Sequence, residues 1–196
     1  MSGATPRKVM LDAVVDHALE FGIADQSLRT IAEAVGTSHR MLIHHFGSKE
    51  GLFVEVIREV EQRQRVVLAG LQADPGGDPF EIGLRFWNHL CDPFLAPQER
   101  LFFEVYGQAL QGRSWAVPLL DGVVDEWIGH LGTWLADARG QSEASARVDA
   151  RLMLAVTRGL LLDLLATGDR AGVDAAMARC AELLSAATDA PAEARR

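Results

Sequence analysis

An all-α chain of about nine helices is expected from these 196 residues, and three observations carry that expectation. Apolar residues recur at helical spacing through most of the sequence. No segment shows the strict apolar–polar alternation, rich in β-branched residues, that would mark a strand. Serine, proline and glycine sit where helices would start and stop. Nearly half of the residues (48%) are apolar, enough for a sizeable core. The expected arrangement is a group of three N-terminal helices, a connecting fourth, and a larger C-terminal group.

The elements follow in order. Thr5 as N-cap, with Pro6 at the first helical position, opens a helix that runs to about Phe21. Its inward stripe is Met10 or Leu11, Val14, Val15, Ala18 and Phe21, and Gly22 ends it. Ser27 opens a second helix to Val35, with Ile31, Ala34 and Val35 facing inward. Gly36 supplies a turn that accepts positive φ. Ser38 begins a short third helix that stops between His45 and Gly47, and Ser48 caps a fourth that continues to about residue 71. The turn cluster DPGGDP at 74–79 is the best break in the chain. Beyond it, helices are expected near 80–91, 98–111, 119–138, 143–167 and 171–188, separated by Pro93 and Pro97, by the stretch from Gly112 to Pro118, by Gly140 and by Gly168. The last residues, 191–196, are expected to be a disordered tail.

Composition narrows the class. The longest apolar runs are only a few residues, as in Leu160-Leu161-Leu162, and the first residues lack the apolar core of a secretory signal. No membrane association is expected, and the expected location is cytoplasmic. Cys91 and Cys180 lie far apart with no C-x-x-C, and both read as reduced, mostly buried thiols. The net charge is −8, whereas a chain that coats nucleic acid non-specifically is usually basic. The placement of charge therefore matters. Between residues 27 and 49, Arg29, Arg40 and Lys49 face a single acid, Glu33, with three histidines close by.

Those histidines belong to the stretch GTSHRMLIHHFGSKEGLF, residues 36–53. The second helix, Gly36 and the third helix have the dimensions of a helix-turn-helix, in which one helix crosses a DNA backbone and the next enters the major groove. Leu42 and Phe46, four apart, are the inward residues of the third helix. His39, Arg40, Ile43 and His44 then point outward, with Met41 at the margin. The arginine fork matches O6 and N7 of guanine, and histidine can donate to a base edge or a phosphate. Lys49 sits where its own charge and a helix N-terminus both favour phosphate.

Three other readings stand beside this one on the residues alone. A metal site would want histidines three or four apart with an acid or cysteine nearby. Here the spacings are 39 to 44 and 44 to 45 and the nearest acid is Glu50, so no metal is expected. A catalytic cluster would tie a serine or cysteine to a base and an acid. No local pattern does so, and neither a catalytic residue nor a cofactor is expected. The third is a solvated helix face with one packed histidine.

A resemblance weighs between them. SLRTIAEAVGTSHRMLIHHFGSKEGLF, residues 27–53, resembles the DNA-binding motif of the tetracycline-repressor (TetR) family of transcriptional regulators. The matching elements, in order and spacing, are Ile31-Ala32, Gly36, Ser38, Leu42, His45-Phe46, Ser48-Lys49-Glu50 and Leu52. With the first helix included, the likeness covers about a quarter of the chain. It implies that Ser27 and Arg29 touch DNA backbone or base edges. It places Thr37, Ser38, His39, Arg40, Met41 and His44 on the recognition element, and makes Lys49 the phosphate clamp. His45 and Phe46 match positions that pack the third helix on the fourth. Ile43 departs from the family's usual tyrosine, which removes one backbone contact and puts an apolar group where it could meet a thymine methyl. Met41 replaces a small residue and is expected to project into the groove. Ala18 stands where phenylalanine is common, and Phe21 is expected to refill that volume.

The resemblance also implies a C-terminal domain that binds a small effector and dimerises through its last two helices. The sequence agrees on separate grounds. LMLAVTRGLLLDLLA, within 143–167, is apolar around much of its circumference, and the last helix carries Val173, Met177, Cys180, Leu183 and Leu184 at helical spacing. A surface helix needs one apolar stripe, so these two ask for more cover than one domain gives. Trp87, Asn88, Leu90, Phe103, Tyr106, Gln108, Trp127 and His130 mix large apolar surface with a few polar groups, as ligand pockets do.

The expectation is thus a head, residues 1–48, and a ligand-binding and dimerisation domain, 49–190, joined through the fourth helix. The function expected is that of a homodimeric repressor, not an enzyme, released from a palindromic double-stranded DNA operator by a hydrophobic or aromatic effector. The alternative is an all-helical small-molecule-binding protein with a weakened or lost DNA-binding head.

Overall fold

The computed structural model describes residues 5–23, 25–73 and 78–189. Among them are nine α-helices, two 3-10 turns and no strand. The helices are α1 (Pro6–Phe21), α2 (Leu28–Ala34), α3 (His39–Phe46), α4 (Lys49–Gln72), α5 (Pro79–Leu90), α6 (Ala96–Leu110), α7 (Asp125–Arg139), α8 (Glu143–Thr167) and α9 (Arg170–Asp189). Most of the 74–79 turn cluster and the expected disordered tail lie outside the described residues.

Local chemistry sets these boundaries. Thr5, Ser27, Ser38 and Ser142 each accept a backbone N–H from the first turn of the helix they cap, and Asp78 does so for α5 ahead of Pro79. One boundary differs from expectation. Residues 119–124 do not begin α7: Val117–Leu120 is a 3-10 turn, and α7 starts at Asp125. Pro118 fits the first turn of a short helix, but Gly122 has φ +87°, which an α-helix cannot carry through.

The chain packs as two units. The first holds the described residues up to Val66 together with Asp92–Val124. Its core takes Leu11, Val14, Val15 and Ala18 from α1, Ile31 and Ala32 from α2, Leu42 and Phe46 from α3, and Leu52, Val56, Ile57 and Val60 from α4. Leu101, Phe102, Val105 and Ala109 of α6 close the same core. The linear boundary expected at residue 48 is therefore not a packing boundary: α6 packs against α1.

Two inward assignments are corrected. Phe21 is 63% exposed and does not refill space beside Ala18, because it lies at the edge of the α1 stripe and leans on the His17 ring instead, the two tilted by 38° with centroids 5.0 Å apart. On α2 the buried residues are Leu28, Ile31 and Ala32, spaced three and four apart, while Ala34 falls outside that stripe and is exposed.

The second unit holds Val67–Cys91 and the described residues from Asp125 onward. Here α7 packs along α8, and α9 packs on α8 and α5. Small residues set the α7–α8 spacing: Ala146 and Ala150 are fully buried, and a Cβ on Gly132 would come within 3.3 Å of the Arg147 side chain. Cys91 is buried as expected, whereas Cys180 is only partly so.

Candidate nucleic-acid interface

Three devices aim α3. The first is the turn that precedes it. Thr37 N–H donates to the carbonyl of Ala32 at 2.8 Å and Gly36 N–H to that of Glu33 at 3.3 Å, the paired bonds of a Schellman cap. Gly36 makes this possible with φ +70°. The second is the Ser38 cap, whose Oγ accepts from Met41 N–H at 3.2 Å. The third is the apolar anchor of Leu42 and Phe46, both buried. With these in place, His39, Arg40, Met41, Ile43 and His44 are all exposed on the opposite side.

Of the flanking residues named from the sequence, Ser27 caps α2 and accepts from Thr30 N–H at 3.1 Å. A capping hydroxyl uses only its acceptor side, so Ser38 keeps a proton to donate outward, whereas the Ser27 hydroxyl also shares a 2.8 Å hydrogen bond with the Thr30 hydroxyl. Arg29 is paired on its own helix with Glu33 at 3.0 Å, both largely exposed. An exposed pair of this kind is worth only about 0.3–0.5 kcal/mol, which a phosphate can outbid. Thr37 is half-buried in the turn. Lys49 is the first residue of α4, and its ammonium lies over the Phe53 ring one turn on, 5.1 Å from the ring centre.

The packing role expected for His45 and Phe46 has a partner that the sequence did not reveal. Arg7 of α1 donates from Nε to the carbonyl of His45 at 3.5 Å, lies 5.1 Å over the Phe46 ring and pairs with Glu55 of α4. His45 is half-buried, and its Nε2 is buried without a hydrogen-bond partner. Arg7 is separated by 38 residues from His45, and no local pattern links them.

The comparisons bear on this site directly. The family model described as "Bacterial regulatory proteins, tetR family" matches residues 11–56, which run from α1 through the first turns of α4. Residues 11–56 thus carry a domain of the tetR family of bacterial regulatory proteins. Among curated TetR-family relatives, the HTH-type transcriptional regulator BetI of Stenotrophomonas maltophilia is 33% identical over 73 residues, 37% of each chain. RutR of Escherichia coli K12 is 37% identical over 54 residues, 28% of this chain and 26% of that one. The chain thus covers between about a quarter and little more than a third of the length of these curated relatives. The fold is shared more widely. A transcriptional regulator from Rhodococcus sp. Rha1 superposes with a TM-score of 0.71 at 21% identity, over 91% of this chain and 95% of that one. The multidrug binding protein EbrR, complexed with imidazole, superposes with a TM-score of 0.59 at 25% identity, over 89% and 90%.

The eight residues expected to meet an effector fall in two groups. Trp87, Asn88, Leu90, Trp127 and His130 belong to the second unit, and Phe103, Tyr106 and Gln108 to the first. Trp87 is buried and donates its one N–H to Asp174 at 2.7 Å, while Asn88 Oδ1 accepts from Arg170 at 2.7 Å. Arg170 also donates to the Cys91 carbonyl at 3.1 Å and pairs with Asp174, so α9 holds the end of α5. Trp127 lies 5.9 Å from the Phe86 ring, and His130 Nε2 shares a 3.0 Å hydrogen bond with Gln72 Oε1. In the first unit, Tyr106 stacks on Phe102 at 5.4 Å, Phe103 packs on the same core, and the Gln108 carbonyl takes part in the cap that ends α6. Asp174, Arg170 and Gln72 were not legible beforehand, because each meets its partner from a distant segment.

Proposed function

We propose that this protein is a ligand-responsive, DNA-binding transcriptional repressor that works as a homodimer. The observation that carries the reading is the α2–Gly36–α3 unit, in which buried Leu42 and Phe46 leave Arg40, His39 and His44 directed outward. Arg40 reads a base edge; Ser27, Arg29, Thr37, Ser38 and Lys49 hold the backbone. Two heads on one dimer read successive major grooves of a palindrome.

The dimer reading is supported by α8. Val148, Leu152 and Leu162 are 68%, 47% and 50% exposed. Together with exposed Ala155, Gly159 and Ala166 they form one stripe at helical spacing. Leu183 of α9 is also exposed. A second copy laid on this face removes that apolar surface from water.

The effector reading rests on the aromatic residues Trp87 and Trp127 of the second unit, and it gains from a protein of the same fold, the multidrug binding protein EbrR, seen complexed with imidazole and with proflavin. An effector that binds best to a dimer whose heads are wrongly spaced weakens operator binding, and the operator must weaken effector binding by the same factor. No helix among the described residues is long and apolar enough to cross a membrane, in keeping with a cytoplasmic regulator.

The test is selection of bound fragments from a random DNA pool by the purified protein at moderate salt. An enriched palindrome is expected. A folded dimer that enriches no sequence would overturn the reading in favour of a ligand-binding protein whose head has lost DNA.

A further inference from the structure

The exposed face of α3 is not uniformly polar. At about 100° per residue, Arg40 and His44 lie nearly in line at its centre, opposite buried Leu42 and Phe46. Met41 lies at one edge of that centre and Ile43 at the other. Both are large apolar side chains left exposed, at 39% and 37%. Neither is needed for the head's own core, which Leu42 and Phe46 already reach.

Leaving two apolar groups on either side of an arginine, on a helix preceded by the capping Ser38 and followed by Lys49 at the start of α4, suits one kind of surface. It must be anionic at its margins, offer paired acceptors in the middle, and present isolated apolar groups beside them. The major groove offers this where thymine flanks guanine: phosphates at the edges, O6 and N7 of guanine for the arginine fork, and the thymine C5-methyl as the only apolar group on the groove floor.

We propose that Met41 and Ile43 are specificity-determining residues that bracket Arg40 and read thymine methyl groups on either side of a guanine in each half-site. The proposal rests on the DNA-binding reading above and adds the bases. It also fits the acidic chain, because much of the discrimination then comes from apolar contact that adds no charge to the head.

The experiment follows from the selected DNA. Each thymine of the enriched half-site is replaced singly by deoxyuridine, which removes only the C5-methyl, and affinity is measured by fluorescence anisotropy at fixed salt. At two positions flanking a guanine, affinity is expected to fall by about fourfold, the value of one buried methyl group. Met41→Ala is expected to erase the penalty at one of these positions and Ile43→Ala at the other, leaving circular dichroism unchanged.

An enriched half-site lacking thymine beside guanine, or uracil tolerated at every position, would overturn the proposal while leaving sequence-specific binding intact. Failure to enrich any sequence would overturn the regulator reading and this proposal together. If the two alanine variants instead reduce self-association of the free protein, the face belongs to a second copy and the proposal falls.

Discussion

Gly51 in the first turn of α4 lies against the carbonyl oxygen of Phe46 at the end of α3, so close that a Cβ on residue 51 would overlap that oxygen. The Ser48 hydroxyl accepts the Gly51 N–H at 2.9 Å and closes the corner. The junction between α3 and α4 is thus built on the absence of a side chain. Gly70, in the same helix, has nothing within 4 Å of where its Cβ would stand. The two glycines should respond oppositely to alanine. Gly70→Ala is expected to stabilise by roughly 0.5–1 kcal/mol through helix propensity. At residue 51 the clash is with backbone, which cannot rotate away, and a net loss of about 1–3 kcal/mol is expected. Urea denaturation followed by circular dichroism measures both, and equal signs would contradict the local geometry.

Charge in the head sets a second expectation. Arg40→Ala should cost roughly 1–3 kcal/mol of binding to the selected operator and little on unrelated DNA, because a base contact carries sequence information. Lys49→Ala should weaken binding to all sequences and reduce the salt slope by about one. Anisotropy titrations across a salt series separate the two. Identical behaviour of the two variants would show that their roles are not divided as proposed.

Acid should loosen the α1–α4 seam. Asp12 of α1 pairs with Lys8 at 2.8 Å and with Arg63 of α4 at 2.8 Å, and Arg63 also reaches Asp16 and Glu59. Burial is the largest influence on Asp12 and works against its charge, but the hydrogen bonds from Lys8 and Arg63 outweigh it and hold the carboxyl below its ordinary value. A carboxylate with a depressed pKa in the folded state adds stability above its unfolded pKa, about 3.9, and that stability is lost as pH falls through the folded value. Between about pH 5 and pH 3 the urea midpoint should therefore fall less steeply for Asp12→Asn than for the parent. A steeper fall in the variant would contradict this assignment.

The exposed stripe of α8 makes a prediction about assembly. Leu152→Glu combined with Leu162→Glu puts two charges where apolar surface is to be covered, and burying an unpaired carboxylate is costly. The double variant should sediment as a monomer at concentrations where the parent is a dimer, with helix content unchanged. If both sediment alike, this face does not carry the dimer.

The α5–α9 tie can be weighed by one substitution. Trp87→Phe removes the N–H that reaches Asp174 while keeping most of the buried ring. Asp174 retains Arg170, so no buried charge is left alone, and the loss should be about 1.5–3 kcal/mol, the range for a hydrogen bond to a charged group. Thermal unfolding measures it, and an unchanged midpoint would mean the bond contributes nothing net.

What the sequence determined by itself was everything that depends on neighbours within a few residues. Thr5, Ser27 and Ser38 mark helix starts because a capping oxygen meets an N–H two or three residues on. Gly36 marks the turn because φ there is positive, and Leu42 and Phe46 mark the inward side of α3 because a helix repeats every 3.6 residues. These local facts suffice for the all-helical class and for the outward set on the recognition helix. Tertiary structure alone decided the rest. Phe103 and Tyr106 look like Trp87 and Trp127 in composition, yet the first pair belongs to the unit that holds α1 and the second pair to the other unit, because α6 packs on α1 whereas α5 packs on α9 and α7 on α8. Arg7 with His45, Asp174 with Trp87 and Gln72 with His130 are each joined across 38 residues or more. Periodicity says which side of a helix is apolar; it does not say which other helix will cover it, since burial rewards apolar area without regard to its source.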